Sequence, residues 1–428
     1  MRVRLYAFSI ILLIATIASA SVPFAQQRKL AGAIFTPQSS IRTPQPLIAG
    51  LEGVFQAFTN VVVFVPAIPI EPPTAAAVAP APYFIETPAS IACIYSLVPR
   101  TSGCNPNVVR TNPSGGGKVV AIVDAYDAPN IRDDLKVFSD RFNLPSPSAV
   151  EFSIVFASGI RPEAPAALKE GWEIEISLDV EWAHAIAPSA KIILVEANSN
   201  SYADLMAAVD MAANIVTQQG GGEISLSWGG SEFSRETVYD AHFAKDGVVY
   251  FAATGDVPGV SYPSSSPQVV AVGGTSIVRD QSTGEFIGEK PWSSAGAGPS
   301  AVENIPSYQS SISNIVGAKR GTPDLAAVAD PNAGGVWVYD SGNASVGTNK
   351  GWLSVGGTSA ATPIVAAIAN LGGRFAASSA DELSHVYRGG GKFNKILAGT
   401  CGPLGIYASA PGWNFCTGVG SPNGTSGL

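Results

Sequence analysis

From about Thr87 onward, the chain alternates short apolar runs with amphipathic stretches, and this alternation constrains the fold more than any other feature. A short continuous apolar run is typical of a strand buried on both faces, whereas a longer amphipathic stretch is typical of a helix. Because strands that alternate with helices pair into a mostly parallel sheet, we predict an α/β domain. The predicted strands are 118–124, 191–196, 223–228, 248–253 and 268–273, and the predicted helices are 130–142 and 202–218.

Three polar residues lie at the carboxyl ends of these predicted strands, or just beyond them. They are Asp124, Ser227 and Asp256. Since the sites of open α/β sheets form at the carboxyl ends of the strands, these residues are the first candidates for a functional site.

The composition excludes several classes of protein. Hydrophobic residues are 46% and charged residues 14% of the 428, which excludes disorder throughout the chain. The net charge is -8 and no long run of Lys or Arg occurs, so we expect no nucleic-acid partner. The three histidines and four cysteines show no zinc-ligand spacing.

Residues 1–20 have the pattern of a secretory signal peptide. Arg2 and Arg4 precede the apolar run 5–17, and Ala18-Ser19-Ala20 offers small residues for cleavage. An uncleaved membrane anchor is the alternative, but the apolar run is shorter than the ~20 residues of a spanning helix. We therefore expect a secreted, extracellular protein with no membrane association after signal removal.

Residues 21–87 differ from the rest of the chain. The Pro-rich stretches 64–73 and 79–82 predict an extended linker with little packed structure, and the apolar piece 54–65 is a candidate for packing as part of a pro-segment. Residues 88–428 then form the main domain. Export suits disulfides, and although four cysteines allow three pairings, we expect the local pairs Cys93–Cys104 and Cys401–Cys416.

Ser359 lies at the start of a predicted apolar helix, in the run Gly357-Thr358-Ser359-Ala360-Ala361-Thr362-Pro363. A serine oxygen there lies near unpaired backbone N–H groups and the positive end of the helix dipole, which favour a nucleophile and an oxyanion. Plain N-capping by Thr358 or Ser359 is the alternative. The complete Gly-Thr-Ser-Ala-x-x-Pro run favours the nucleophile.

A nucleophilic serine needs a base, and the sequence offers a pair of carboxylates. No His-Gly-Thr-His motif occurs, and His184 has no glycine beside it. Glu175 and Asp179 are spaced i and i+4, so on a helix they share one face. Two like charges held close share one proton in weak acid, which makes a base that works where histidine is protonated. A solvated acidic helix face is the alternative, although Leu178 and Val180 indicate burial.

Asp256 follows a predicted strand and a Gly turn, in the run Ala253-Thr254-Gly255-Asp256. A carboxyl group can donate a hydrogen bond to an oxyanion only when it is protonated. The alternative is a turn residue that bonds its own backbone.

Together these runs resemble the sedolisin family, the serine-carboxyl peptidases of the subtilisin-like clan. The resemblance extends over about residues 87–424 and implies an α/β, subtilisin-like three-layer fold, with a mostly parallel central sheet flanked by helices, for the peptidase domain 88–428. It also rests on the runs 119–129, 178–182, 225–229, 323–326 and 412–414.

The resemblance implies a role for each candidate residue. Ser359 is the nucleophile, Glu175 the general base, Asp179 the partner that orients Glu175 and shares its proton, and Asp256 the acid on the oxyanion side. The substrate-binding residues are Ser227, Trp228 and Gly229, whose backbone groups would pair with an extended peptide.

Two departures from the family pattern concern metal binding and the pro-segment. Lys395 and Asn414 stand where the family has aspartates that bind calcium, so two anionic ligands are lost and a cation is gained. Calcium takes six to eight oxygens, usually including carboxylates. We therefore expect no metal site and no cofactor. The pro-segment available in residues 21–87 is also short for the family.

The resemblance implies a secreted, monomeric serine-type endopeptidase that hydrolyses protein or peptide substrates at acidic pH through an acyl-enzyme on Ser359. One alternative is a neutral subtilisin-type peptidase with Ser359, His184 and Asp124 as its triad. The other is an inactive secreted pseudopeptidase or binding protein, which the short pro-segment and altered calcium positions favour. The presence of all four family residues weighs against it.

Overall fold

A mostly parallel eight-stranded sheet forms the centre of the computed structural model, which describes residues 32–42, 55–74, 83–148, 151–343, 351–389 and 392–428. The strands are β1 Gly32–Phe35, β2 Phe58–Thr59, β3 Val62–Pro66, β4 Val119–Ala125, β5 Phe152–Phe156, β6 Lys191–Ala197, β7 Gly222–Leu226, β8 Trp228–Ser231, β9 Val248–Ala253, β10 Ser261–Tyr262, β11 Val270–Arg279, β12 Phe286–Pro291, β13 Gly298–Asn304, β14 Lys319–Thr322, β15 Leu325–Val328, β16 Val336–Tyr339, β17 Trp352–Gly356, β18 Phe393–Asn394, β19 Thr400–Cys401, β20 Tyr407–Ala408 and β21 Ser421–Pro422. The helices are α1 Pro88–Ile94, α2 Ile131–Phe142, α3 Ala166–Ile186, α4 Tyr202–Gln218, α5 Ser313–Val316, α6 Thr358–Gly372 and α7 Ser379–Arg388.

The central sheet has the order β12-β11-β9-β7-β4-β6-β5, and β15 also pairs with β11. β4 lies parallel to β6 and β7, and only β12 runs antiparallel to its neighbour. Alternate side chains of β4 enter two different hydrophobic cores. Val120 and Ile122 pack with residues of α3 and α6, whereas Val119 and Val123 pack with residues of α4. The predicted three-layer α/β architecture is therefore confirmed.

The predicted strand 223–228 is divided in two. β7 ends at Leu226, and β8 begins at Trp228 in a separate antiparallel sheet with β2 and β10. The break leaves Ser227 between two sheets, at the carboxyl end of β7. The sequence pattern could not show this break, because both pieces are buried.

The linker prediction is wrong for the start of the Pro-rich stretch. Residues 64–66 belong to β3, which lies between β1 and β17 in a four-stranded antiparallel sheet. Val63 and Phe64 are buried there, so the apolar piece before the prolines packs against the domain as a strand. The expected signal peptide lies outside the described residues.

Both expected disulfides are present, Cys93–Cys104 and Cys401–Cys416. The second closes the region around the short hairpin of β19 and β20. Within the described ranges, no helix has the length and apolar character needed to cross a membrane.

Candidate active site

Ser359 lies in the first turn of α6, directly after β17 and Gly357. Its side chain is fully buried, and its Oγ donates to the carbonyl oxygen of Ser227 at 3.1 Å. Gly357 has φ +103, and a Cβ there would lie 1.9 Å from the carbonyl oxygen of Asn60 and 2.6 Å from Asp256 Oδ2. Only glycine fits this position, because it tolerates positive φ and the close approach of two oxygens.

Glu175 and Asp179 lie on α3, which is buried from Gly171 to Ile186. The alternative of a solvated acidic face is therefore wrong. Glu175 Oε2 accepts a hydrogen bond from the backbone N of Asn60 at 3.2 Å, and Asp179 Oδ1 accepts one from Ser227 Oγ at 2.8 Å. Among the described residues, no donor reaches Glu175 Oε1 or Asp179 Oδ2.

Asp124 is a third buried carboxyl group beside this pair. Desolvation and the neighbouring carboxylates Asp179 and Asp124 raise the pKa of Glu175 well above its usual range. Desolvation and Asp124 do the same to the pKa of Asp179. The pKa of Asp124 is itself raised to about 8 by desolvation. Its place at the end of a predicted strand makes Asp124 a site candidate from the sequence, but the only role predicted for it is in the neutral triad, whereas the structure places it beside the carboxyl pair.

Asp256 follows β9 and faces the start of α6. Its Oδ1 accepts hydrogen bonds from the backbone N of Thr358 at 2.8 Å and from Thr358 Oγ1 at 2.9 Å. Its Oδ2 has no partner within the described residues. Desolvation raises the pKa of Asp256 to about 7, against the opposing effects of Thr358 and Arg42. Asp256 therefore bonds the turn that carries the serine rather than its own backbone.

Trp228 and Gly229, which the family resemblance implies as substrate-binding residues, belong to β8. They pair antiparallel with Thr59 and Phe58 of β2. The Trp228 indole N–H donates to the carbonyl oxygen of Val123 at 2.7 Å, which ties β8 to the end of β4. The structure thus brings Ser359, Glu175, Asp179, Asp256 and Ser227 to one edge of the sheet.

Asn60 lies among these side chains, and no sequence signal predicted that position. The backbone N of Asn60 donates to the carbonyl oxygen of Ser227 at 3.2 Å, and its carbonyl oxygen accepts from the backbone N of Ser359 at 3.2 Å. Asn60 thus contacts the peptide-binding strand, the candidate base and the serine.

His184 does not join the site. It lies on α3 about two and a half turns beyond Glu175, and its Nε2 bonds the carbonyl oxygen of Pro145 at 2.7 Å. Burial lowers its pKa. The arrangement disfavours the neutral triad, because the imidazole bonds a different part of the domain.

Lys395 and Asn414, at the expected calcium positions, each bond backbone groups of the chain. Lys395 Nζ donates to the carbonyl oxygen of Val419 at 2.9 Å. Asn414 Oδ1 accepts from the backbone N of Cys416 at 3.0 Å and of Thr417 at 3.1 Å. An ammonium cannot bind calcium, which takes oxygen ligands, and Asn414 Oδ1 brings no charge and already accepts two backbone N–H groups. Across the described part of the chain, no three acidic, His or Cys side chains cluster as metal ligands would.

Comparisons with known proteins agree with this arrangement. Residues 173–386 match the Subtilase family. Kumamolisin of Bacillus sp. (strain MN-32) is 30% identical over 349 residues, which are 72% of this chain and 59% of kumamolisin. Sedolisin of Pseudomonas sp. (strain 101) is 30% identical over 186 residues, which are 39% of this chain and 29% of sedolisin.

A solved structure supports the fold. It is Pseudomonas sedolisin, a serine-carboxyl proteinase, complexed with two molecules of pseudo-iodotyrostatin. It matches with a TM-score of 0.61 at 21% identity, over 79% of this chain and 95% of that chain. The chain spans less than two thirds of the length of both relatives, 59% and 29%.

Proposed function

Because the chain belongs to the subtilase family, in its sedolisin group, we propose that it is a serine-carboxyl endopeptidase that hydrolyses protein or peptide substrates at acidic pH. One observation carries the proposal. Ser359 shares its buried edge of the sheet with the carboxyl pair Glu175 and Asp179, whereas His184 bonds the backbone elsewhere.

Ser359 Oγ is the nucleophile that attacks the substrate carbonyl carbon. Glu175 accepts the hydroxyl proton and returns it to the leaving amine, while Asp179 orients Glu175 and shares the proton of the pair. Asp179 is itself held by Ser227 Oγ at 2.8 Å. Water then attacks the acyl-enzyme by the same steps in reverse, which releases the acid product and restores Ser359.

Asp256 and the backbone N of Ser359 stabilise the oxyanion. The oxygen that carries the developing charge lies where the Asn60 carbonyl oxygen now accepts from Ser359 N at 3.2 Å. Asp256 Oδ2 faces the same space over Gly357, and with a pKa of about 7 it is a protonated donor in acid.

The state of Glu175 depends on solvent in the cleft. In the present structure the backbone N of Asn60 donates to Glu175 Oε2, and desolvation together with Asp179 and Asp124 raises the pKa of Glu175 well above its usual range. Water admitted to an open cleft reduces this desolvation, which lowers that pKa and favours the ionised form that serves as base.

The substrate binds as an added strand on β8. The present antiparallel pairing of Phe58 with Gly229 and of Thr59 with Trp228 supports this mode. Because backbone pairing on β8 does not depend on the side chains of the bound peptide, it allows many different sequences to bind in extended form.

The remaining assignments belong to the same proposal. Residues 1–20 direct secretion, residues 21–87 form the pro-segment, and residues 88–428 form the peptidase domain. We place the protein outside the cell as a monomer, without nucleic-acid or membrane partners. It needs no calcium, because Lys395 and Asn414 replace the carboxylates that would bind it.

A covalent probe directed at Ser359 tests the proposal. After incubation at about pH 4, where a carboxyl-based system operates, a peptide aldehyde should inhibit the secreted protein, and a serine-reactive phosphonate should label it at Ser359. Ser359→Ala should take no label. Absence of label in a correctly folded, processed protein would favour the pseudopeptidase. Label that forms only near neutral pH would favour a different base.

A further inference from the structure

The hairpin of β19 and β20 presents apolar side chains to solvent. Leu404 in the connecting turn is fully exposed, and Ile406 just before β20 is 64% exposed. Leu397, which precedes β19, is 57% exposed. Single apolar side chains scattered over a surface are ordinary, but several of them on one short hairpin indicate an interaction site.

Leu404 keeps a large side chain in a backbone conformation that favours glycine. Its φ is +54, and Gly402 and Gly405 on either side of it also have positive φ. A leucine in the left-handed region is sterically disfavoured, whereas glycine adopts it freely. Because the Leu404 side chain is exposed, burial within the domain does not offset this cost. Contact with a partner outside the domain would.

The base of the hairpin is fixed to the domain. Cys401 is joined to Cys416 by the second disulfide, and both pack with Ala297 and Tyr407. Tyr407 also packs on Phe415, with 4.6 Å between the ring centroids. The exposed turn therefore rests on an ordered support, so a partner that binds it has less chain to immobilise.

The same support connects the hairpin to the turn that carries Asp256. The backbone N of Ala297 donates to the carbonyl oxygen of Gly259 at 2.7 Å, and that of Gly296 donates to the carbonyl oxygen of Gly255 at 2.8 Å. The two acceptors lie on either side of Asp256 in the chain. The apolar hairpin is therefore continuous with the Asp256 side of the cleft.

The surface of the hairpin is also uncharged. No charged side chain occurs after Lys395, so this part of the chain offers a partner no ion pair. In acid, many proteins unfold and expose their apolar side chains. Contacts between apolar groups do not depend on a protonation state, so they form at the pH that we propose for the enzyme.

We propose that the hairpin of β19 and β20 is a second substrate-binding site, which holds an apolar stretch of an unfolded protein while another part of the same chain lies in the cleft. The inference rests on the proposed function and deepens it, since it names unfolded protein as the preferred substrate class. Leu404 and Ile406 make the contact. A long chain that engages both sites binds more tightly than a short peptide, which engages the cleft alone.

The test compares an unfolded protein with a short peptide as substrates of the processed enzyme. The double variant Leu404→Asn with Ile406→Thr removes the apolar surface, and asparagine tolerates the positive φ. KM for a reduced and alkylated protein should rise about tenfold, while kcat and hydrolysis of the short peptide stay unchanged. Ile160→Thr is the control, because Ile160 is 73% exposed and follows β5, at the other edge of the central sheet from β12.

Binding without cleavage gives a second readout. Processed enzyme inactivated at Ser359 by a phosphonate should still bind the reduced and alkylated protein, labelled with a fluorophore, at about pH 4, where a carboxyl-based system operates. The Kd should rise in the double variant and stay at the wild-type value in Ile160→Thr.

The outcomes distinguish the two proposals. If the enzyme hydrolyses the short peptide, but KM and Kd for the unfolded protein are the same in wild type and double variant, the inference is overturned and the proposed function stands. An equal loss with both substrates also overturns it, since the variant has then changed the cleft. A wild-type dimer that becomes monomeric in the double variant, measured by sedimentation, overturns it too, because the hairpin then binds a second copy. If folded, processed wild type hydrolyses neither substrate, the proposed function itself fails.

Discussion

The backbone N–H of Ser359 donates to the carbonyl oxygen of Asn60 across 3.2 Å, although the two residues belong to opposite ends of the chain. The contact places Asn60 at the position that we propose for the oxyanion. The same contact blocks that position for any other peptide. Residues 58–59 and 62–64 hold Asn60 there by pairing with β8 and β17.

The pH above which the enzyme loses activity should depend on the protonation of Asp256. As the pH rises through about 7, Asp256 loses its proton and with it the ability to donate to the oxyanion. Asp256→Asn keeps an acceptor for Thr358 and a donor at any pH. The variant should retain activity above pH 7, where the wild type loses it, as measured by kcat/KM against pH.

Asp256→Ala is the matching control. Below about pH 7, where Asp256 holds its proton, removal of the donor should lower kcat by about 10²- to 10³-fold. If the asparagine variant instead showed the same alkaline limb as the wild type, another group would set that limit.

Ser227 should position the carboxyl pair through Asp179. Its hydroxyl donates to Asp179 at 2.8 Å and lowers the pKa of that carboxyl group against desolvation. In Ser227→Ala the pKa rises, so the acid limb of kcat/KM should move up by about one pH unit. Ser225→Ala is the control, since the Ser225 hydroxyl is buried without a partner in the described structure. If the acid limb of kcat/KM moves equally in both variants, Ser227 does not position the carboxyl pair through Asp179.

The stability of the folded chain should fall as the pH rises from acid to neutral. Burial raises the pKa of Asp124 from its ordinary 3.8 to about 8, so the folded state binds this proton more tightly than the unfolded state. That contribution is complete below about pH 4 and is lost as the pH rises toward 8, up to a total on the order of 5 kcal/mol.

Asp124→Asn should remove this part of the pH dependence. Urea unfolding of the Ser359→Ala background, which avoids self-digestion, should show a shallower loss of unfolding free energy between about pH 4 and 8 than the same background with Asp124 intact. An unchanged slope would mean that Asp124 stays ionised in the folded state.

Calcium should not stabilise this chain. Lys395 supplies a fixed cation that bonds Val419, and Asn414 already accepts two backbone N–H groups. The Tm should therefore be the same in chelator and in millimolar calcium. The double variant Lys395→Asp with Asn414→Asp should gain a calcium-dependent rise of several degrees.

The exposed Lys392 provides the control for that pair, because Lys392→Asp changes the charge nearby without adding a ligand at these positions. A wild-type Tm that falls in chelator would show that the region around Lys395 and Asn414 still binds calcium.

The sequence predicts those parts of the site that depend on short motifs. Ser359 lies in a run that specifies a glycine turn and an apolar helix, and the spacing of Glu175 and Asp179 requires only that α3 be a helix. The central strands are also predicted from local sequence, since a continuous apolar run such as 119–123 of β4 indicates a buried strand.

The position of Asn60 has no such local signal. Its contacts join it to Glu175, Ser227 and Ser359, all distant in sequence, so they arise only when β3 has docked on β17. The proline content predicts an extended linker. The apolar side chains before the prolines are buried instead, and their burial holds this part of the chain against the domain as β3. Ser227 shows the same limit, since its position between β7 and β8 depends on a change of sheet.

The pH profile of peptide hydrolysis tests the central claim most directly. We would measure kcat/KM for an extended peptide between about pH 2 and 8, for the processed wild type, Glu175→Gln and His184→Gln. The account predicts an acid maximum that falls at least about 10³-fold in Glu175→Gln and persists in His184→Gln. A neutral maximum that survives Glu175→Gln and is lost in His184→Gln would contradict it, because histidine would then be the base.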